Sequence, residues 1–220
     1  MRRRLVLAFT DYVTDLVARR RAEGATGDDL VSKLVAAETS VGPLTDQQLN
    51  GYINLLVAAG NETTRNAIAG GVATLLQHPD QAELLASDPE RYVDGAVEEI
   101  LRWISPVIQF ARTAMADYEI GGQLIQAGDD VGLFYPSANR DRRQFDDPYR
   151  FDITRSPNYH LAFGHGEHFC LGANLARWEM RAVFRRLAPH LDEIRLDGEP
   201  SRVRHLHVAA IKALPVSRAA

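Results

Sequence analysis

The chain contains one cysteine, Cys170, within Phe163-Gly164-His165-Gly166-Glu167-His168-Phe169-Cys170-Leu171-Gly172. A single cysteine cannot form an intramolecular disulfide, so an inert core thiol, a nucleophile and a metal ligand remain open. The segment lies just before a strongly helical stretch, which places the thiol where a helix begins. Helix N-terminal amides and the positive end of the dipole favour an anionic sulfur there. Gly164, Gly166 and Gly172 allow tight turns and close approach of the backbone to a flat cofactor. Two further groups of residues could do chemistry. Glu62-Thr63 follows Ala59-Gly60 in the middle of an otherwise apolar helix, where an acid and a hydroxyl could move protons. In isolation Thr63 could equally bond back to the preceding turn, and Glu62 could be a solvated helix residue. Glu99 and Arg102 are three apart near the apolar face of their helix, a spacing that usually marks a weak surface pair.

Bulk properties narrow the classes. The 220 residues are 45% hydrophobic and 25% charged, ordinary globular composition with enough chain for a real core. Twenty-five basic residues against 29 acidic ones leave a net charge of −4, which gives no reason to expect nucleic acid. Arg2-Arg3-Arg4 begins like a signal peptide, but the apolar run Leu5 to Phe9 is too short for one. No stretch approaches the apolar length of a membrane span, so the expected location is the cytoplasm.

The elements that must position these residues are mainly helical. Leu5 to Arg21 repeats apolar residues at helical spacing, and Asp28 to Glu38 reads as a shorter helix. Thr45 and Gln48 form a capping box and Leu44 with Leu49 a hydrophobic staple, so a helix is expected from Asp46 to the stop at His78-Pro79. It would be about 48 Å long at 1.5 Å per residue, and its all-apolar middle, Ile53 to Gly60, is expected to be buried. Asp88-Pro89 caps another helix that ends at Ser105-Pro106. Short alternating runs from Val107 to Phe134 predict a small sheet, followed by a meander from Pro136 to Pro157. A last helix covers about Leu171 to Ala188, and short strands fill Ile194 to Val216. One region, 1–220, is expected, with no internal repeat.

The cysteine segment resembles the ligand loop of the cytochrome P450 family, and the soluble bacterial members most. Six fixed positions of F-G-x-G-x-H-x-C-x-G match by chance at on the order of 10⁻⁸ per start site. Other motifs follow in that family's order: Ala59-Gly60-Asn61-Glu62-Thr63-Thr64 is similar to its oxygen-binding segment, Glu99–Arg102 to its E-x-x-R pair and Phe110-Ala111-Arg112-Thr113 to a propionate-binding segment. Asn139-Arg140-Asp141 fits its meander, and Arg150 resembles the third member of the Glu–Arg network. The resemblance covers Leu5 to Val216 but only the second half of the family's length. Asn61 stands where a histidine is common, and Gly95 weakens its helix by roughly 1 kcal/mol relative to Ala.

This resemblance implies a mainly α fold with a minor sheet, the C-terminal, heme-binding half of the P450 fold. It implies thiolate-ligated heme (iron protoporphyrin IX), with Cys170 on the iron and His168 and Arg112 on the propionates. Phe163 would shield the sulfur, and the glycines 164, 166 and 172 would shape the loop. Ala59 and Gly60 would make room for O₂, while Thr63 and Glu62 manage protons. The implied reaction inserts one atom of O₂ into a small organic substrate, with electrons from NAD(P)H through a ferredoxin reductase and ferredoxin. Leu56, Ala59, Val107, Ile108, Val208 and Ala209 match recognition positions; being small and apolar, they point to an apolar substrate. Three alternatives remain: a peroxide-using heme-thiolate enzyme, a non-catalytic heme-binding fragment, and a zinc site at His165, His168 and Cys170.

Overall fold

The computed structural model describes residues 2–218, without the side chains of Arg2, Arg3, Leu5 and Val6. The expected place of Leu5 on an apolar stripe therefore lies outside the described residues. Two compact units are present, Met1–Asn61 and Glu62–Ala220, and the division falls inside one long helix.

The first unit starts with α1 (Arg2–Ala22) and α2 (Leu30–Val35). Asp29 caps α2 by accepting from Ser32 N at 3.1 Å. The helix stops earlier than the sequence suggests, because Glu38–Thr39 (β1) pairs antiparallel with Gly42–Pro43 (β2). The long helix α3 (Asp46–Gln77) then begins as its capping box dictates. Thr45 N donates to Gln48 Oε1 at 2.9 Å, and Gln48 N donates to Thr45 Oγ1 at 3.3 Å. Leu44 and Leu49 pack with Val13, Val17 and Ile53 in this unit's core. Burial of the whole Ile53–Gly60 stretch is not observed. Ile53 faces the core, but Leu55 is 62% and Val57 50% exposed. Composition shows that a segment is apolar, whereas the packing of neighbouring elements decides which of its faces is covered.

The second unit carries the larger core. Beyond Glu62, α3 packs closely on its neighbours: a Cβ at Gly71 would lie 2.6 Å from Phe184 and 2.8 Å from Ile100. A further helix that the sequence pattern does not announce, α4 (Pro79–Ser87), follows at once. Its proline both ends α3 and opens α4 at the first helical position, where the missing N–H costs nothing. Asp88 caps α5 (Pro89–Ile104), accepting from Arg91 N at 3.2 Å. Ser105 ends α5 in the left-handed region with φ 44°, and Pro106 prevents continuation.

The expected small sheet is two antiparallel ribbons. Gln109–Thr113 (β3) pairs with Asp130–Phe134 (β6), and Tyr118–Ile120 (β4) pairs with Gln123–Ile125 (β5). After the short α6 (Tyr135–Ala138) the chain meanders to α7 (Ala173–Leu187). The tail supplies β7 (Ile194–Leu196), β8 (Ser201–Arg202), β9 (Ile211–Ala213) and β10 (Val216–Arg218); β7 pairs with β10 and β8 with β9. Leu85, Val97, Ile100, Ile153, Met180 and Phe184 form the centre of the core, joining α4, α5, α7 and the meander. Among the described residues no helix is long and apolar enough to cross a membrane.

Candidate heme-binding site

The cysteine loop is held chiefly by its own backbone. Cys170 N donates to Phe163 O at 2.9 Å, which closes the segment into a ring. At its entrance Gly164 N donates to Leu161 O at 2.9 Å, and inside it Phe169 N donates to Gly166 O at 3.0 Å. Gly164 and Gly166 adopt φ of 72° and 75°, a conformation that disfavours any residue with a Cβ. Past the cysteine, Ala173 N donates to Cys170 O at 3.2 Å as α7 starts. The thiol is free and exposed, as are Phe169, Leu171 and Leu175 around it. His168 is exposed at the end of a 3₁₀ turn, Gly166–His168.

A buried ion network joins α5 to the meander that leads into the loop. Glu99 and Arg102 are both 0% exposed and form a fork at 2.7 Å on each side. Such a pair is stable when every remaining lone pair and proton finds a partner. Glu99 also accepts from Asp152 N at 2.9 Å and Asn158 Nδ2 at 3.1 Å. Arg102 also donates to the carbonyls of Asn139, Pro148 and Arg150 at 2.8, 2.9 and 3.1 Å. The third charged member is Arg155, whose Nε lies 3.2 Å from Glu99 Oε2. This corrects the expectation for Arg150, whose side chain is 64% exposed and which contributes only its carbonyl. The two arginines are five residues apart in one turn-rich segment, and the path of the meander turns the later one inward.

A second network was not anticipated. Glu98 accepts a bidentate pair from Arg177, Nε at 2.7 Å and Nη2 at 2.9 Å, and lies 3.0 Å from His160 Nε2. His160 Nδ1 accepts from Ala162 N at 3.2 Å, so its ring proton sits on Nε2 and is donated to Glu98. Burial raises the Glu98 pKa, but hydrogen bonds from His160 and Arg177 outweigh it and hold the group at about 2. Arg177 is raised above its ordinary value, first by its hydrogen bonds to Glu98 and in smaller part by Cys170. Its guanidinium lies 4.5 Å over the Phe163 ring. No local pattern announces these partners, which are 62 and 79 residues from Glu98 in sequence.

The other expected residues are distributed as follows. In the first unit, Ala59 and Gly60 are exposed on α3. In the second, Thr63 is half-buried, and Glu62 makes an exposed pair with Arg65 at 3.2 Å. Arg112 is half-buried on β3 and donates to Ala111 O at 2.9 Å; among the described residues nothing bonds it to the cysteine loop. Val107 and Val208 face each other in an antiparallel bridge, flanked by Ile108 N to His207 O at 2.8 Å and Ala209 N to Pro106 O at 2.9 Å. Two of the expected recognition segments therefore meet. Among the described residues no three His, Cys, Asp or Glu side chains are grouped to hold a metal ion, His165, His168 and Cys170 included.

The donor set fits heme. A soft sulfur stands exposed on a hydrogen-bonded turn, the exposed apolar residues Phe169, Leu171 and Leu175 lie near it in the chain, and a Cβ at Gly166 would meet nothing within 4 Å. Comparison with known proteins agrees. The cytochrome P450 family model matches residues 89–191, from the start of α5 through the loop and α7. The chain is 46% identical to a methyl-branched lipid omega-hydroxylase of Mycobacterium tuberculosis, over 94% of this chain and 48% of that protein.

This chain belongs to the cytochrome P450 family.

A steroid C26-monooxygenase of Rhodococcus jostii is 43% identical over 86% of this chain and 40% of its own length. The structure of a Mycobacterium marinum cytochrome P450 in complex with pseudoionone superposes with a TM-score of 0.90 at 43% identity, covering 96% of this chain and 50% of that one. The chain thus spans about half the length of the P450s it matches, and its helices and small ribbons are that part of the P450 fold. Family membership implies heme as the cofactor.

Proposed function

We propose that the chain supplies the heme-binding part of a P450 monooxygenase, with Cys170 as the thiolate ligand. The observation that carries this reading is the exposed Cys170 thiol on a glycine-shaped turn, closed by the hydrogen bond from its own N–H to Phe163 O. A cysteine thiolate pushes electron density toward the iron and favours O–O cleavage, which is the chemistry heme supplies when bound. His168 and Arg112 would hold the propionates; a guanidinium suits a carboxylate because it forms paired, charge-assisted hydrogen bonds. Phe163 shields the sulfur side. The resemblance assigns Ala59 and Gly60 to the space O₂ would take when heme is bound, and the Glu62 carboxylate and Thr63 hydroxyl to supplying protons there. One oxygen atom enters the substrate and the other leaves as water, with electrons from NAD(P)H through ferredoxin reductase and ferredoxin.

The substrate is a small apolar molecule. The paired Val107–Ile108 and Val208–Ala209 segments offer only aliphatic side chains, and the relatives named above are named for lipid and steroid oxidation. The reduced, carbonyl-bound protein should show the red-shifted Soret band of thiolate-ligated heme, and Cys170→His should lose it. Retention of that band by the variant would reject Cys170 as the ligand. Thr63→Ala should keep heme but consume NADH with peroxide released instead of product, the part of turnover that general acid–base groups typically control by about 10²–10⁴-fold. Efficient product formation from added peroxide in place of NADH would favour a peroxide-using enzyme.

A further inference from the structure

We propose that Arg177 is a positioning residue for the Cys170 sulfur and places a fixed positive charge beside its loop, with Glu98 and His160 holding it in place. The inference rests on Cys170 being the heme ligand. Three elements meet at Glu98: α5, which carries it; the segment entering the cysteine loop, through His160; and α7, which leaves the loop, through Arg177. Both ends of the loop are therefore tied to one carboxylate.

The connection continues to the sulfur. Arg177 stacks on the Phe163 ring, and the Phe163 carbonyl accepts the Cys170 N–H. The His160 and Phe169 rings pack on Phe163 at 6.0 and 6.3 Å between centroids. Moving Arg177 would move Phe163, and with it the acceptor that fixes the cysteine backbone.

Cys170 is among the groups whose charge acts on Arg177, and Arg177 also lies over the Phe163 ring of the cysteine loop. Arg177 and Glu98 are 22% and 27% exposed at their side chains, which limits screening by solvent. A cation near a heme thiolate favours the reduced state, which carries one more negative charge; a carboxylate paired with that cation tempers the effect. Removing one partner should therefore have the opposite sign to removing the other. A purely structural link would not behave in this way.

The experiment measures the midpoint reduction potential and the carbonyl spectrum of the heme-loaded protein for wild type, Arg177→Met, Glu98→Gln and the double variant. The wild-type thiolate carbonyl band is the control for Cys170 ligation; its absence would reject that assignment independently of the arginine. With the band present, Arg177→Met should shift the potential negative, Glu98→Gln should shift it positive, and the double variant should fall between them. Glu98→Gln keeps the shape and can still accept from Arg177, so it decides alone if Arg177→Met does not fold. Shifts of the same sign in both single variants, or a Glu98→Gln potential equal to or below wild type, would overturn the proposal.

Discussion

The side-chain oxygen of Asn139 accepts a 2.7 Å hydrogen bond from the backbone N–H of Leu161, two residues before Phe163. Asn139 is fully buried, its Nδ2 donates to Ser105 Oγ at 2.9 Å, and its carbonyl accepts from Arg102. One residue thus links the end of α5, the ion network and the entrance to the cysteine loop. Ser105 itself sits at φ 44° with its hydroxyl bonded to Arg102 O at 3.0 Å, so two side-chain bonds hold a backbone conformation that non-glycine residues rarely adopt. Replacing Asn139 by Leu removes both side-chain bonds and leaves their partners in protein surroundings. A loss of about 1–3 kcal/mol is expected in denaturant unfolding, with faster hydrogen exchange at the Leu161 amide. Unchanged exchange there would show that the loop entrance is held by other contacts.

Arg155 and Arg150 should respond very differently to truncation. Arg155→Ala leaves Glu99 short of one of its two cationic partners, and breaking buried pairs of this kind typically costs about 3–5 kcal/mol. Arg150→Ala keeps the carbonyl that Arg102 and Arg155 use, so its effect should stay within about 0.5 kcal/mol. Thermal or urea unfolding of the two variants side by side is sufficient. Equal losses would mean that the Arg150 side chain has a structural role that its exposure conceals.

Glu98 should contribute a distinctive acid limb to stability. An unfolded glutamate titrates near 4.5, whereas in the folded chain the group is held at about 2. Its stabilisation is complete above the unfolded value and is lost as pH falls from about 4.5 toward 2. At 1.36 kcal/mol per pKa unit the upper bound is about 3 kcal/mol, reduced by the partial exposure of the pair. The stability gap between wild type and Glu98→Gln should therefore be widest above pH 5 and should narrow on acidification. A gap that stays constant down to pH 3 would contradict this.

Gly95 sets a hard limit on the approach of α5 to the meander. A Cβ there would lie 2.2 Å from the Ile153 carbonyl oxygen, and backbone cannot rotate away as a side chain can. Gly95→Ala gains about 1 kcal/mol of helix propensity but incurs overpacking of about 1–3 kcal/mol, and a clash with backbone belongs at the upper end. Net destabilisation is expected, with loosened packing at Ile153. A rise in melting temperature would show that the meander can retreat at little cost.

Features encoded within a few residues were legible before the structure. The Thr45–Gln48 capping box and the Asp88-Pro89 cap use side chains next to the groups they satisfy, and both helices begin where those residues direct. The glycine pattern before Cys170 forecast a turn that only glycine tolerates, and Gly164 and Gly166 occupy it. Contacts across long separations were not legible. Glu99 could have met either Arg150 or Arg155, and only the three-dimensional course of the meander selects Arg155. Arg177 and His160 carried no local mark because their partner lies on another helix. The α4 helix was hidden for a different reason: Pro79 serves as both stop and start, and a reading that treats proline only as a breaker sees half of its role.

The arginines of the ion network grip main-chain oxygens. Arg102 holds the carbonyls of Asn139, Pro148 and Arg150, and Arg155 those of Asp146, Asp147 and Arg150. Every amino acid brings the same carbonyl, so this stretch is constrained in its length far more than in its letters. Exposed Arg142, Arg143, Gln144 and Tyr149 can be exchanged freely without disturbing the grip. Deleting any one of them would slide the following carbonyls out of register with both guanidinium groups. This outer surface can therefore be altered residue by residue while the spacing from Asn139 to Arg155 is kept, and a tag or probe is better introduced there by substitution than by insertion.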